Sequence, residues 1–388
     1  AVDGGTIKLD GNYPTGSNNI ALGDTALDSV EAGGTDNVAI GHHAGTALTT
    51  GDRNIAIGSC ALKVATTAND NTAVGKSSLT ANTSGTGNVS IGNAMEANTE
   101  GNDNTALGNG SLQTNTTGDN NTALGRLALK SNTTACNNTA VGFCSLFTNT
   151  TGASNTAVGR FSMIANTTGA SNTALGTNAL DANTTGGDNV AVGVSALSAN
   201  TTGVNNTAVG HRTLISATTA NNNTALGRDA ACSLTTGLQN VAVGNCALST
   251  NTEAHNNVAV GFCSQKSSTT GTLNVSAGSF TLEDNTEGTE NVAIGYRASC
   301  DNTTAGQNVA VGVCALAQTT TGCKNTAIGT KALVVNTTGQ CNVAVGRTAL
   351  DANTTGECNT ALGNSSLTEN TTAANNTAVG FEALKDNT

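Results

Sequence analysis

The cysteines are the residues of this chain whose spacing points most directly to chemistry. The chain has 388 residues and 11 cysteines. Cys246 and Cys263 are 17 residues apart, and so are Cys341 and Cys358. If the chain repeats with that period, each pair lies about one strand spacing apart, within the Cα separation that a disulfide accepts. The spacing therefore predicts disulfides between neighbouring repeats.

A second spacing, of 14 residues, leaves the pairing open. It separates Cys232 from Cys246 and Cys300 from Cys314, so Cys246 has two candidate partners. Disulfides would indicate an oxidising, extracellular setting. The alternative interpretation is that the thiols replace Ala or Ser as small, partly buried side chains.

Asparagines in Asn-x-Ser/Thr sequons form a second candidate set, for N-linked glycosylation. Eleven of them occupy the same place in the repeat described below, so acceptors in successive repeats would be about 5 Å apart. Branched sugars would crowd at that spacing, and turn formation is the competing interpretation. The candidates are Asn82, Asn115, Asn132, Asn149, Asn166, Asn183, Asn200, Asn302, Asn336, Asn353 and Asn370.

Metal binding and catalysis have no pattern in this sequence. The chain lacks a CxxC pair, and its four histidines are not near a cysteine pair at ligand spacing. Asp181, Asp229 and Asp351 stand in variable positions without a His or nucleophilic Ser motif. The glycine-rich stretches lack the lysine of a phosphate-binding loop. We therefore predict that the protein is not an enzyme and uses no metal or cofactor.

The composition excludes an ordinary globular core. The chain has only eight aromatic residues (6 Phe and 2 Tyr), one Pro, 47 Gly and 11% charged residues, as in fibrous or repetitive proteins. Its net charge of −11 predicts no nucleic-acid partner. No run of about 18 apolar residues occurs, which predicts no membrane insertion.

A 17-residue repeat explains this composition. The phrase Asn-(Thr/Val)-Ala-(Val/Leu/Ile)-Gly-x-x-(Ala/Ser)-Leu-x-x-Asn-Thr-Thr-Gly-x-x occurs in 22 copies, beginning at Asn19 and ending with the copy at Asn376. The opening Asn of each copy is numbered here as position 1. Residues 1–18 are predicted to form an N-terminal cap or assembly segment, and residues 19–388 the repeat domain.

Each repeat position has a physical interpretation. Positions 2 to 4 predict a short strand, because position 2 is always β-branched and position 4 is almost always aliphatic. Gly at position 5 fits a corner with positive φ or a close backbone approach. The invariant Asn predicts an amide ladder, as at Asn138 and Asn155, with Gly142 and Gly159 as their corner glycines. These features predict an all-β parallel β-solenoid, or β-roll, of about 22 coils.

The strand column at position 3 leads to a prediction about assembly. We expect positions 2 and 4 to face the core together with the Leu at position 9, so that position 3 faces outward. Position 3 is Ala or Ser in every copy, which favours close packing against a neighbouring chain. The alternative is that position 3 meets another wall of the same coil.

The repeat phrases resemble those of a known family. NVAVG and NVAIG, as at Asn189 and Asn291, resemble the head repeats of trimeric autotransporter adhesins. In that family an Asn-x-x-aliphatic-Gly phrase opens each coil of a left-handed parallel β-roll, and three chains pack side by side. The longer phrase NTALG…NTTG, as at Asn104 and Asn172, is similar to repeats of phage tail-fibre and related bacterial surface proteins. The resemblance covers roughly residues 19–388.

These observations predict a non-enzymatic extracellular structural fibre or adhesin shaft that serves extension, surface display or cohesion. The expected partner is a second copy of the chain, in a side-by-side homotrimer or a head-to-tail fibre, with a glycan or cell-surface receptor as a further partner. The expected location is extracellular, at a cell surface or on a virion fibre. The alternative is a binding module, such as a phage receptor-binding tail fibre or an ice-binding rod.

Overall fold

A computed structural model describes residues 2–3, 6–7 and 16–387 of the chain. Most of the predicted N-terminal segment, residues 1–18, lies outside the described residues. Within it, β1 (Val2–Asp3) pairs antiparallel with β2 (Thr6–Ile7). The chain forms two compact units, Ala1–Gly187 and Asp188–Thr388, and each contains one three-residue strand per repeat.

The first unit is a parallel β-solenoid. Adjacent strands pair in parallel and in exact repeat register, so that Thr139 aligns with Thr156, Ala140 with Ala157, and so on along the unit. Its solenoid strands are β3 (Ile20–Leu22), β4 (Val38–Ile40), β5 (Ile55–Ile57), β6 (Thr72–Val74), β7 (Val89–Ile91), β8 (Thr105–Leu107), β9 (Thr122–Leu124), β10 (Thr139–Val141), β11 (Thr156–Val158) and β12 (Thr173–Leu175).

The second unit has the same architecture. Val241 aligns with Val258 and Ala242 with Ala259, one repeat apart. Its strands are β13 (Val190–Val192), β14 (Thr207–Val209), β15 (Thr224–Leu226), β16 (Val241–Val243), β17 (Val258–Val260), β18 (Val275–Ala277), β19 (Val292–Ile294), β20 (Val309–Val311), β21 (Thr326–Ile328), β22 (Val343–Val345), β23 (Thr360–Leu362) and β24 (Thr377–Val379). The predicted all-β parallel solenoid with a 17-residue repeat is confirmed.

The strands face the opposite way from the sequence-based expectation. Ala140, at position 3, is fully buried, whereas Thr139 and Val141 on either side of it are only partly buried. Leu107, at position 4, is 46% exposed. The prediction that positions 2 and 4 face the core was therefore wrong, and so was the inference that position 3 packs against a neighbouring chain.

The two serines at position 3 show what that position faces. Ser90 donates a hydrogen bond to a carbonyl within its own coil and accepts one from Ser78, with 2.6 Å between the two hydroxyl oxygens. Ser276 lies 2.6 Å from the hydroxyl of Ser264. Ser78 and Ser264 stand at position 8, so position 3 meets another wall of the same chain. A 17-residue coil is too narrow for two aliphatic side chains to meet across it, and a small residue faces the wall that carries Leu.

The core combines apolar and amide columns. The predicted burial of position 9 is confirmed, since Leu129, Leu146 and Met163 are fully buried. The same burial holds for most of the asparagines at positions 1 and 12, so that coils such as the one that opens at Asn138 contain two buried amides, Asn138 and Asn149, and one large aliphatic side chain, Leu146. The Leu column alone cannot bury enough apolar surface to fold one coil, so the stacked hydrogen bonds are part of what holds each unit together.

The corner glycines adopt the predicted conformation. Gly142 has φ +129°, and a Cβ on it would lie 2.6 Å from the carbonyl oxygen of Gly159 in the next coil. Residues other than Gly also have positive φ at positions 7, 9 and 17, including Cys144 (φ 54°) and the core residue Leu146 (φ 49°). The sequence did not reveal these, because stacking and core packing hold side chains in a conformation that they rarely adopt alone.

Within the described residues there is no helix with the length and apolar character needed to cross a membrane.

Candidate functional site

The outward side of the solenoid strands exposes aliphatic side chains in each unit. This strand face is formed by positions 2 and 4 of every coil. In the first unit its exposed aliphatic side chains include Ile55, Ile91, Leu107 and Leu175, each between 37% and 47% exposed. Soluble monomers rarely expose contiguous apolar patches of more than a few hundred Å². A face that repeats such side chains in every coil is therefore a candidate interaction surface.

The strand face is also free of charge. Positions 2 and 4 contain only Thr, Val, Ile, Leu and one Ala across all copies. In the first unit, five successive coils place Thr at position 2, and their side chains are half-buried or exposed. These are Thr105, Thr122, Thr139, Thr156 and Thr173. The acidic surplus of the chain is carried elsewhere on its surface. This face could not be predicted from the sequence. Successive side chains of a strand point to opposite sides, but that alternation does not determine which side is buried.

The cysteines are free thiols in the structure. It brings Cys232, Cys246 and Cys263 together: burial raises the pKa of Cys263, and a hydrogen-bonding contact with the Cys246 thiol acts in the same direction. Burial likewise raises the pKa of Cys232, with a further contribution from the nearby Cys246. Both candidate partners of Cys246 are thus its neighbours, and the disulfides remain predictions.

The other candidate thiols differ in their surroundings. Cys300 is buried, and its Sγ lies 2.9 Å from Oδ1 of Asp301. Burial raises the pKa of Cys300 to about 12, so this thiol stays protonated and unreactive at neutral pH. Cys314 is half-buried at position 7, whereas Cys341 and Cys358 are exposed at position 17 of adjacent coils. Exposure leaves that last pair accessible to an oxidant.

The sequon asparagines lie inside the coils. Nδ2 of Asn149 donates to the carbonyl of Gly152 at 2.9 Å and to Oδ1 of Asn132 at 3.1 Å. A glycan on this nitrogen would replace one of those hydrogens and require the side chain to leave the interior. All eleven are fully buried: Asn82, Asn115, Asn132, Asn149, Asn166, Asn183, Asn200, Asn302, Asn336, Asn353 and Asn370. Their amides form a column in which each side chain closes the turn of its own coil.

The predicted ladder residues are aligned from coil to coil. Asn155 donates its backbone N–H to Oδ1 of Asn138 at 2.9 Å, and its Nδ2 donates to the carbonyl of Gly169 at 2.8 Å. Gly142 and Gly159 stack at the corner that follows each strand. These residues are architectural, since the polar atoms named here are paired within one coil or between adjacent coils.

The carboxylates that the sequence singled out do not converge. Asp229 pairs with Arg212 and Arg228 at 3.5 and 3.1 Å. Asp351 lines a shallow, open depression of about 510 Å³ together with Lys331 and Glu369, and burial raises its pKa. That lining contains no His, Ser or Cys to serve as a base or nucleophile. Among the described residues, no three His, Cys, Asp or Glu side chains are placed to hold a metal ion.

The strand face, the thiol cluster and the buried amide columns are thus the features from which a function must be argued. In comparisons with known proteins, no protein-family model matches the chain, and no curated protein matches it.

Proposed function

We propose that this protein is a non-enzymatic structural protein of the fibre type, whose solenoid units associate with further copies through the strand face. The observation that carries the proposal is the uncharged aliphatic column that every coil presents to solvent at positions 2 and 4. Interface cores are depleted in charge, as this face is.

A second copy is the partner that fits this face. The chain carries a net charge of −11, so two copies repel each other over most of their surface but not along the strand face. The face repeats the same two strand positions in every coil, so two copies can align along it. A standard interface buries ~800 Å² per partner, which several adjacent coils of the strand face would supply together.

The resemblance to trimeric adhesin heads supports a parallel homotrimer in an extracellular setting. Three copies would enclose their strand faces and remove the aliphatic side chains from water. Burial of that surface would stabilise each chain in the same way as its own core. Chemical cross-linking followed by mass determination counts the subunits, and a mass other than three chains would overturn the trimer.

The self-association proposal is tested by placing charge on the face. Val260→Lys and Ile294→Lys alter two residues that are 40% and 42% exposed. We expect the wild-type protein to sediment as an oligomer and the double variant as a monomer that keeps the circular-dichroism spectrum of the folded chain but melts at a lower temperature. Thr270→Lys, an exposed position-14 residue away from the strands, is the matched control. A monomeric wild-type protein, or an oligomer unaffected by the two lysines, would overturn the proposal.

Ice binding is a second candidate, favoured by the five successive outward threonines of the first unit. They form a regular hydroxyl and methyl array beside the aliphatic position-4 column. Thermal hysteresis of the wild-type protein, abolished by Thr139→Lys, is the expected result if this face binds ice. Absence of hysteresis at the concentration where the protein oligomerises would exclude it.

A further inference from the structure

The charge of the chain is distributed unevenly. Residues 120–180 contain three cationic side chains, Arg126, Lys130 and Arg160, and no Asp or Glu. The chain as a whole has 26 acidic residues against 15 Lys and Arg, so this run of the first unit is locally basic in an acidic protein. A local reversal of charge marks a candidate site for an anion.

Three phenylalanines lie among these cations. The Arg126 guanidinium is 5.7 Å from the ring centroid of Phe143, and that of Arg160 is 4.2 Å from the ring of Phe161. The rings of Phe143 and Phe161 are 5.5 Å apart. Lys130 and Phe147 both stand at repeat position 10, and the ammonium of Lys130 is 5.3 Å from the ring of Phe147. The cationic aromatic patch is formed by Arg126, Lys130, Phe143, Phe147, Arg160 and Phe161.

The three cations also act on one thiol. Burial raises the pKa of Cys144, and the charges of Arg126, Lys130 and Arg160 each act to lower it. None of the ion pairs found in the described part of the chain involves these three side chains. Their positive charge faces aromatic rings and water, and it is available to a ligand.

The aromatic side chains have no role in the core. The interior of each coil accepts Leu and Ala, whereas Phe143 is 37% exposed and Phe161 and Phe147 are half-buried. Exposing large aromatic rings has a free-energy cost, and exposed aromatic and arginine side chains are typical of binding surfaces. The patch therefore combines three cations with three partly exposed rings.

We propose that the cationic aromatic patch binds an acidic oligosaccharide, one that carries carboxylate or sulfate groups on its sugar rings. The guanidinium groups of Arg126 and Arg160 offer paired N–H donors to such oxyanions. The phenylalanine rings offer apolar contact to the C–H faces of the sugar. Recognition of this kind needs only a few charges, and the patch supplies three.

A nucleic acid fits the patch less well. Long polyanions are repelled by the acidic remainder of the chain, and their affinity depends on neutralising many phosphates. Stacking of successive bases is favoured by parallel ring faces, but here the Phe143 and Phe161 rings are tilted by 57° to each other. A short acidic sugar meets neither obstacle.

The test uses the full chain and isothermal titration with a heparin-derived hexasaccharide. We expect binding by the wild-type protein, weakened about tenfold by Arg126→Gln and by Arg160→Gln, because each removes a charged hydrogen-bond donor. Arg347→Gln is the matched control, since Arg347 is exposed at the same repeat position 6 in the second unit. Phe143→Ala is expected to weaken binding more than Phe381→Ala, another exposed position-6 phenylalanine.

Three outcomes would overturn the proposal. They are absence of binding, equal binding of a neutral hexasaccharide, and equal loss in the Arg347→Gln control. Tighter binding of a single-stranded oligonucleotide would overturn it as well, in favour of a nucleic-acid site. Melting curves of each variant separate loss of binding from loss of fold, because all of the altered side chains lie on the surface.

Discussion

The side-chain carbonyl of Asn138 accepts the backbone N–H of Asn155 at 2.9 Å, one coil further along the chain. Asn155 repeats the interaction with the backbone N–H of Asn172 at 3.0 Å. A backbone donor that the short strand cannot satisfy is thus paired by a buried side chain. The same amide therefore sets the register and satisfies the interior of the coil.

Asn155→Ala is expected to destabilise the protein by about 1–3 kcal/mol, since it removes the buried acceptor of the Asn172 backbone N–H and one of the two amide donors to the Gly169 carbonyl. Urea unfolding followed by circular dichroism measures this free energy. Thr151→Ala, an exposed change in the preceding coil, should stay within about 0.5 kcal/mol of wild type. Equal effects of the two substitutions would contradict a structural role for the ladder.

Gly142→Ala is expected to destabilise the first unit by more than about 3 kcal/mol. The new Cβ would lie 2.6 Å from the Gly159 carbonyl oxygen at a φ of +129°, which adds a steric clash to backbone strain. Gly33→Ala is the control, because the nearest atom to its Cβ would be Thr50 Cγ2 at 3.4 Å. Thermal unfolding of both variants tests the prediction, and comparable melting temperatures would refute it.

Asp181→Asn should raise the melting temperature at neutral pH but not in acid. Burial raises the pKa of Asp181 in the folded chain. The stability contributed by its protonated form is complete below the unfolded pKa, about 4, and is lost as pH rises through the folded value. The amide that replaces the carboxylate carries no charge. The variant therefore has the higher melting temperature only as the pH rises above the unfolded pKa.

Melting curves between about pH 3 and pH 8 distinguish this titration from a general effect. Asp28→Asn is the matched control, because Asp28 is exposed at the same repeat position 10. A pH-independent gain for Asp181→Asn, or an equal gain for the control, would show that burial of the carboxylate is not the cause.

Oxidised glutathione should convert the Cys246 and Cys263 thiols into a disulfide, as two thiols lose two hydrogens and the oxidant becomes two reduced glutathiones. A bridge over this 17-residue spacing would stabilise the chain by up to about 3 kcal/mol. Peptide mapping by mass spectrometry identifies the pair. Cys246→Ser should abolish both the bridge and the stabilisation, whereas Cys60→Ser should change neither. If the main product is instead a Cys232–Cys246 bridge, Cys232 is the disulfide partner of Cys246.

Much of the fold follows from the sequence by itself. The period, the strand at positions 2 to 4, the corner at Gly142 and its equivalents, and the ladder through Asn138 and Asn155 all rest on local signals that recur in every copy. Each repeat is weakly informative alone, but the same residue type at the same position leaves few backbone conformations that satisfy every copy. The buried Leu at position 9 could be predicted in the same way.

Tertiary structure alone decided which side of the strand faces inward. Alternation separates Ala140 from Thr139 and Val141, but the narrow coil decides that the small side chain lies inside and the aliphatic one outside. That choice turned the expected core column into a charge-free outer face and moved Asn149 and its equivalents into the interior. Tertiary structure also placed Arg126 and Arg160 over the rings of Phe143 and Phe161. The physical reason is the limited space across a 17-residue coil, which no single repeat position reveals.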